Sequence, residues 1–317
     1  MKYYLYSAGL ILLGIIFATF LPAIILQNEN ILLSLQIPKN NSNVAGIQKY
    51  NIPPVSKNIA PPQFSARAVL VKDLGTDTVL YQKDASIPFP IASTTKIMTA
   101  LVASEYFKQN TPLTVHQAAG MSGAKVGLKD GEDLSFRSML YGMLLNSGND
   151  AAYALAENYQ GGVLGFVSAM NKKAASLNLR NTHFDNPAGF DNPNHFSSAS
   201  DLAKITEEAL KNSQLARIFA TKDTNIVSLD KKYTHKLSNL NRLLSQVKGV
   251  MGVKTGYSEQ AKENLVTFVN RDNHQILTVV LGSDDRFGES TKLIEWTYSN
   301  FTWPARPAGG PETQTPL

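Results

Sequence analysis

Hydrophobic and polar residues change their pattern four times along the chain. Between Tyr3 and Asn28 no charged residue occurs, and the stretch through Leu26 is mostly Leu, Ile, Ala and Phe. As a helix, those 24 residues would span about 36 Å, enough for a hydrocarbon core of ~30 Å. Residues 27–62 then lose all sustained periodicity apart from Ile31–Leu35; they hold seven Asn together with Pro38, Pro53, Pro54, Pro61 and Pro62. That composition predicts an extended tether.

Ser65–Leu74 and Thr78–Lys83 alternate apolar and polar residues around Gly75-Thr76-Asp77, which predicts a hairpin. Helical spacing follows over Thr94–Phe107, Ser135–Leu145, Asp150–Tyr159 and Gly162–Leu177. Beyond an Asn-, Pro- and Gly-rich loop ending near Asn194, Ser198-Ala-Ser-Asp201 offers a cap for a helix bearing Leu202, Ile205, Ala209 and Leu210. The last third reads as strands over Val247–Tyr257, Glu263–Asn270 and Gln275–Gly282, closed by an amphipathic helix over Asp284–Phe301. Strands at both ends and helices between predict an α/β domain of the α+β type. Its antiparallel sheet of about five strands is flanked by helices and carries an inserted helical lobe. The expected organisation is a membrane anchor over 1–28, an extracytoplasmic linker over 29–62, one catalytic-sized domain over 63–303 and a disordered tail over 304–317.

Charge orients the apolar segment. Lys2 precedes it, and the first positive charge after it is Lys39, so the N-terminus is expected to be cytoplasmic and the body translocated. A cleaved signal peptide is the competing reading, but its apolar region is usually about 7–15 residues and ends at small residues. Phe20-Leu-Pro-Ala-Ile-Ile-Leu26 offers no such site. The whole chain of 317 residues carries a net charge of +5 without a run of five basic residues, which argues against nucleic acid as a partner. It has no Cys, which removes disulfides, thiolate metal sites and a Cys nucleophile. His116, His183, His195, His235 and His274 lack metal-ligand spacing and are expected to play structural roles.

Serine and lysine remain as candidate chemistry. Ser93-Thr-Thr-Lys96 opens the first predicted helix, so its hydroxyl and amine share one face, a turn apart. A serine hydroxyl needs a neighbouring base. Lysine becomes that base only if its pKa falls from about 10.4 towards 7, a relative destabilisation of the ammonium of roughly 4–5 kcal/mol. Burial and a second positive charge both act in that direction. The same spacing recurs at Ser122/Lys125, Ser228/Lys231 and Ser245/Lys248, so alone it decides little. Two further elements add weight. Ser147-Gly-Asn149 falls in a break between helices, and Lys254-Thr255-Gly256, which occurs once, lies on a predicted strand where glycine lets a ligand approach and Lys and Thr can hold an anion.

In this order, Ser-x-x-Lys, Ser-x-Asn and Lys-Thr-Gly form the signature of penicillin-recognising acyl-serine enzymes. Pro90-Ile-Ala-Ser-Thr-Thr-Lys-Ile-Met-Thr-Ala-Leu101, Leu145-Asn-Ser-Gly-Asn-Asp-Ala-Ala152, Phe184-Asp-Asn-Pro-Ala-Gly-Phe190 and Gly252-Val-Lys-Thr-Gly-Tyr257 closely resemble the low-molecular-mass D-alanyl-D-alanine carboxypeptidases. The resemblance implies a β-lactamase/transpeptidase-like fold, peptidoglycan stem peptides as substrates, β-lactams as covalent inhibitors, and no metal or organic cofactor. It assigns Ser93 as nucleophile, Lys96 as base, and Ser147 with Lys254 as the proton route to the leaving D-Ala. Asn149 would hold the acyl-side amide, Thr255 the terminal carboxylate, and the N–H groups of Ser93 and Tyr257 the oxyanion, with Gly256 in the same substrate-binding strand.

Two departures from the family stand out. Many members have Ala-Gly after the Lys-Thr-Gly strand, whereas Ala261 here is followed by Lys262. Many also continue into an all-β domain and a C-terminal membrane helix; here the N-terminal segment is expected to provide attachment. Rival readings are a DD-endopeptidase, a non-catalytic penicillin sensor, an inactive remnant, and a β-lactamase. The last needs a deacylating glutamate, for which Glu207 is the nearest candidate.

Overall fold

The structure is a computed structural model that describes residue 47 and residues 49–304. The segment expected to anchor the chain and the expected tail beyond 304 lie outside the described residues. No helix among the described residues is long and apolar enough to cross a membrane.

Five strands form one antiparallel sheet: β1 (Ala68–Asp73), β2 (Thr78–Lys83), β3 (Val250–Ser258), β4 (Lys262–Arg271) and β5 (His274–Ser283), in the order β2-β1-β5-β4-β3. The two ends of the domain meet where β5 pairs with β1, Val279 opposite Leu70. The expected α+β architecture is therefore the observed one. Central strands have both faces covered, which explains why β5 reads Ile-Leu-Thr-Val-Val-Leu without polar alternation.

One face, with Leu70, Val253, Val266, Phe268, Leu277 and Val279, packs into the core of the helical lobe. That lobe comprises α1 (Lys96–Tyr106), α2 (Phe136–Leu145), α3 (Asn149–Glu157), α4 (Gly162–Ser176), α5 (Ala199–Leu210) and α6 (Ser213–Ala220). The opposite face, with Val69, Val71, Leu265, Val269 and Val280, is covered by α7 (Leu243–Gln246) and α8 (Arg286–Asn300). Ser198 caps α5 as its sequence predicts, accepting from Asp201 N.

The elements unforeseen in the sequence are short. Helix α6 is started by Asn212, whose side chain accepts from Gln214 N and Leu215 N. Two-stranded hairpins join Pro112–Thr114 to Asp133–Ser135 and Asp223–Val227 to Thr234–Ser238. Part of the stretch expected to be a free tether is docked. Val55–Ser56 pairs with Phe301–Thr302, Trp296 Nε1 donates to Ile59 O at 3.0 Å, and the Tyr50 ring lies where a Cβ on Gly75 would sit. Aromatic anchors, which composition does not register, hold this segment; the packed chain begins upstream of residue 63.

Candidate active site

The nucleophile segment is a tight turn rather than the plain start of a helix. Ala92–Thr95 is a 3-10 turn running into α1, and Ala92 adopts φ +46°, in the left-handed region. The turn satisfies itself locally: Thr94 Oγ1 donates to Ile91 O at 2.7 Å, and Thr95 Oγ1 donates to Ala92 O at 2.8 Å. Ser93 is left half-buried at its apex and Lys96 is fully buried one turn on.

Three oxygens surround Lys96 Nζ: Ser93 Oγ at 2.8 Å, Asn149 Oδ1 at 2.8 Å and Ala188 O at 2.7 Å. Burial, with the nearby Lys254 charge second, holds its pKa well below the ordinary lysine value, against a smaller opposing pull from Asp150. A neutral amine has two hydrogens and one lone pair. Ala188 O and Asn149 Oδ1 can only accept, so in the neutral form of Lys96 they would take both hydrogens and the lone pair would face the Ser93 hydroxyl. Asn149 is held in that orientation because its Nδ2 donates to Ser122 O at 2.8 Å.

Ser147 and Asn149 stand at the α2–α3 break. Ser147 is buried with φ +57°, and Gly148 caps α3. The next residue, Asp150, anchors the facing loop by accepting from the N–H groups of Val126, Gly127 and Leu128 at 3.0, 2.8 and 3.2 Å.

Strand β3 brings the third motif. At Gly256 an added Cβ would sit 2.9 Å from Ile91 O and 3.2 Å from both Ser93 N and Thr94 N. The strand thus runs backbone to backbone against the nucleophile turn, an approach only glycine permits. Lys254 is buried, with Nζ donating to Thr255 O at 3.0 Å and lying 3.4 Å from Thr255 Oγ1. Burial, then the Arg286 charge, pushes its pKa down to about 7. Thr255 is buried and the Tyr257 ring exposed.

Hydrogen bonds thus join Ser93, Lys96 and Asn149 directly; Gly256 meets them through backbone, while Lys254 and Thr255 form a second group on the strand. Four contributors were not singled out in the sequence. They are the Ala188 carbonyl, Asp150, Arg286, whose Nη1 donates to Gly256 O at 2.9 Å, and His195, whose Nε2 lies 2.7 Å from Thr95 Oγ1. Glu207, the candidate for β-lactamase chemistry, instead pairs with Lys72 at 2.8 Å. Lys262, where many family members have glycine, keeps a left-handed φ of +55° at the start of β4.

A serine one turn before a buried lysine, faced by an edge strand carrying Lys-Thr-Gly on a five-stranded antiparallel sheet, defines the acyl-serine class that recognises penicillin. Comparison with known proteins narrows this. The family described as D-alanyl-D-alanine carboxypeptidase matches residues 55–285. D-alanyl-D-alanine carboxypeptidase DacF of Bacillus subtilis is 35% identical over 246 residues, covering 74% of this chain and 63% of that relative. The D-alanyl-D-alanine carboxypeptidase of Streptomyces sp. strain K15 is 33% identical over 261 residues, covering 76% of this chain and 90% of the relative. The crystal structure of the Streptomyces K15 DD-transpeptidase superposes with a TM-score of 0.72 at 32% identity, covering 76% of this chain and all of that one. This chain belongs to the D-alanyl-D-alanine carboxypeptidase family of serine enzymes. It spans just under two thirds of the Bacillus relative's length.

Proposed function

We infer that the domain removes the terminal D-Ala from peptidoglycan stem peptides through an acyl-serine intermediate. The observation that carries this reading is the surroundings of Lys96, where two carbonyl acceptors leave one lone pair for the Ser93 hydroxyl. In the proposed reaction Ser93 Oγ attacks the carbonyl carbon of the penultimate D-Ala, and its proton passes to Lys96 Nζ. Oxyanion charge falls on the N–H groups of Ser93 and Tyr257, a donor pair of the kind worth ~3–4 kcal/mol per donor. The peptide C–N bond then breaks. Ser147 and Lys254 would relay the proton taken up by Lys96 to the departing amine, and free D-Ala leaves with Lys96 neutral again. Water attacks the ester with Lys96 accepting its proton, the acyl C–Oγ bond breaks, and Lys96 returns the proton to Ser93 Oγ.

Thr255 and the Lys254 ammonium would receive the substrate's terminal carboxylate, and Asn149 the acyl-side amide. A β-lactam offers the same carbonyl to Ser93 but keeps its leaving nitrogen tethered, so it would act as a covalent inhibitor. The apolar run before residue 27 supports single-pass membrane attachment with the domain outside the cytoplasm.

The test is D-Ala release from an acyl-L-Lys-D-Ala-D-Ala peptide by the full-length chain and its Ser93→Ala variant. Release in the first and none in the second is expected. No release from folded wild type would sink the reading, and penicillin labelling that survives Ser93→Ala would sink the choice of nucleophile.

A further inference from the structure

Two separate pieces of chain must stay in register around Lys96. The 92–95 turn presents the nucleophile, and the 184–190 loop presents the Ala188 carbonyl. They touch directly, since a Cβ on Gly189 would fall 1.9 Å from Ala92 O. One is a single 3-10 turn and the other is a loop. A buried imidazole lies between them and bonds to both.

His195 is 2% exposed. Its Nδ1 accepts from Asp185 N at 3.0 Å, with the Asn186 Nδ2 amide 3.4 Å away. Asp185 N is a backbone N–H and can only donate, so Nδ1 carries no proton and a neutral ring holds its hydrogen on Nε2. Nε2 lies 2.7 Å from Thr95 Oγ1, whose own hydrogen goes to Ala92 O. The direction of every bond is thereby set: Asp185 N–H to the imidazole, the imidazole to Thr95, and Thr95 to the carbonyl of the left-handed Ala92. A second proton on the ring would face Asp185 N–H. Burial, then the charges of His183 and Lys96, oppose it and hold the pKa down to about 4. On the loop side, Asn186 Oδ1 gathers the N–H groups of Ala188, Gly189 and Phe190, so the loop tied by His195 is the one that aims Ala188 O at Lys96.

We propose that His195 is a positioning residue that latches the loop supplying the acceptor of Lys96 to the turn supplying Ser93. It touches neither Ser93 nor substrate and acts through Thr95 and the 184–190 backbone. Without the latch, Ala92 is free to leave its strained φ and Ala188 O to drift, and the Lys96 lone pair turns away from the hydroxyl. The chemical step slows; the ground-state pocket on β3 is left as it was. This inference rests on Lys96 being the base for Ser93.

The experiment measures acylation of the full-length chain by a fluorescent penicillin, separating noncovalent affinity from the acylation rate constant, with thermal unfolding alongside. Variants are His195→Gln, His195→Met, Thr95→Val and the His195→Met/Thr95→Val double. Gln can place an N–H near the position of Nε2, whereas Met fills similar volume without a donor. The latch predicts about tenfold slower acylation in His195→Met and in Thr95→Val. Affinity should stay within about twofold, and the double variant should be no slower than the slower single. His195→Gln should recover to within about threefold of wild type. Wild-type acylation in His195→Met, equal losses in the Gln and Met variants, or multiplied losses in the double would each overturn it. If His195→Met does not fold, Thr95→Val decides alone, since it keeps the shape of Thr: an unchanged rate overturns the latch. Labelling of Ser93→Ala is a separate readout that would overturn the nucleophile and the latch with it, whereas slow labelling confined to the His195 and Thr95 variants bears on the latch alone.

Discussion

Lys96 and Lys254 are the same residue type, both buried, in two halves of one site, and their surroundings are opposite. Lys96, on the helical side, has three oxygens within 2.8 Å. Lys254, on the sheet side, has its own strand's Thr255 carbonyl and hydroxyl at 3.0 and 3.4 Å, and a guanidinium as its electrostatic neighbour. The helical half is internally satisfied, and burial there holds the Lys96 pKa well below the ordinary lysine value. The sheet half places the buried Lys254 amine beside the Arg286 guanidinium, whose nearest attractive charge is Glu263. The charges form a cascade: Arg286 depresses Lys254, and Lys254 depresses Lys96.

The largest effect should come from the helical half. Lys96→Met removes the base and leaves Ser93 Oγ without a proton acceptor. Acylation by penicillin is expected to fall about 10²–10⁴-fold, measured as labelling rate, while binding of the intact antibiotic changes little. Loss of affinity with an unchanged rate would invert the roles assigned to the two lysines.

Lys254→Met should act differently. Losing the positive partner of the carboxylate is expected to raise KM for a D-Ala-D-Ala peptide by about tenfold. It also removes a cation beside Lys96, whose pKa then rises, so the acid limb of the acylation pH profile should move to higher pH. Stability responds as well. With a folded pKa of about 7 against the ordinary lysine value of 10.5, the unfolded chain binds more protons between those pH values. Wild-type stability should therefore rise with pH across that window, by up to about 1.4 kcal/mol per pH unit from this group. Denaturant unfolding at several pH values should give a shallower rise for Lys254→Met.

The side chains proposed for the chemistry stand in motifs that can be read without the fold. Ser93, Lys96, Ser147, Asn149 and Lys254-Thr255-Gly256 stand in short motifs, because each group must leave the backbone at a fixed offset. Ala188 was not legible: it contributes a main-chain carbonyl, and an alanine carries no sign of that use. Arg286 lies 30 residues beyond Gly256 and His195 lies 46 residues beyond Asn149, so only folding brings either to those motifs. His195 was read as structural because it lacks metal-ligand spacing, and spacing is silent about a hydrogen bond to Thr95, a hundred residues away. Among elements, long periodic helices and the buried strands were predicted closely. The Asp223–Val227 and Thr234–Ser238 hairpin was missed because four in five of its positions are not buried, so no hydrophobic alternation marks it. Helix α6 had a usable signal in the Asn212 cap.

The smallest expected effect separates strain that serves the site from strain that does not. Ala92 and Lys262 are both non-glycine residues with left-handed φ, +46° and +55°, a conformation costing roughly 1 kcal/mol for an L side chain. Ala92 sits beside the nucleophile and is held there by Thr95 Oγ1 and by the contact with Gly189. Lys262 begins β4, opposite Ser258 and beyond the Lys-Thr-Gly strand residues, and its side chain is exposed. Glycine at 262 relieves the conformational cost with no side-chain hydrogen bond or ion pair among the described residues to lose, so Lys262→Gly should stabilise the protein by about 0.5–1 kcal/mol and leave acylation unchanged. Glycine at 92 relieves the same cost but frees the turn that aims Ser93, so Ala92→Gly should gain no more stability and slow acylation severalfold. Thermal unfolding and penicillin labelling of the two variants decide it. Equal labelling rates would mean that the left-handed turn at Ala92 matters to the backbone path alone, and that the helical half is held in place by Lys96 and its acceptors without it.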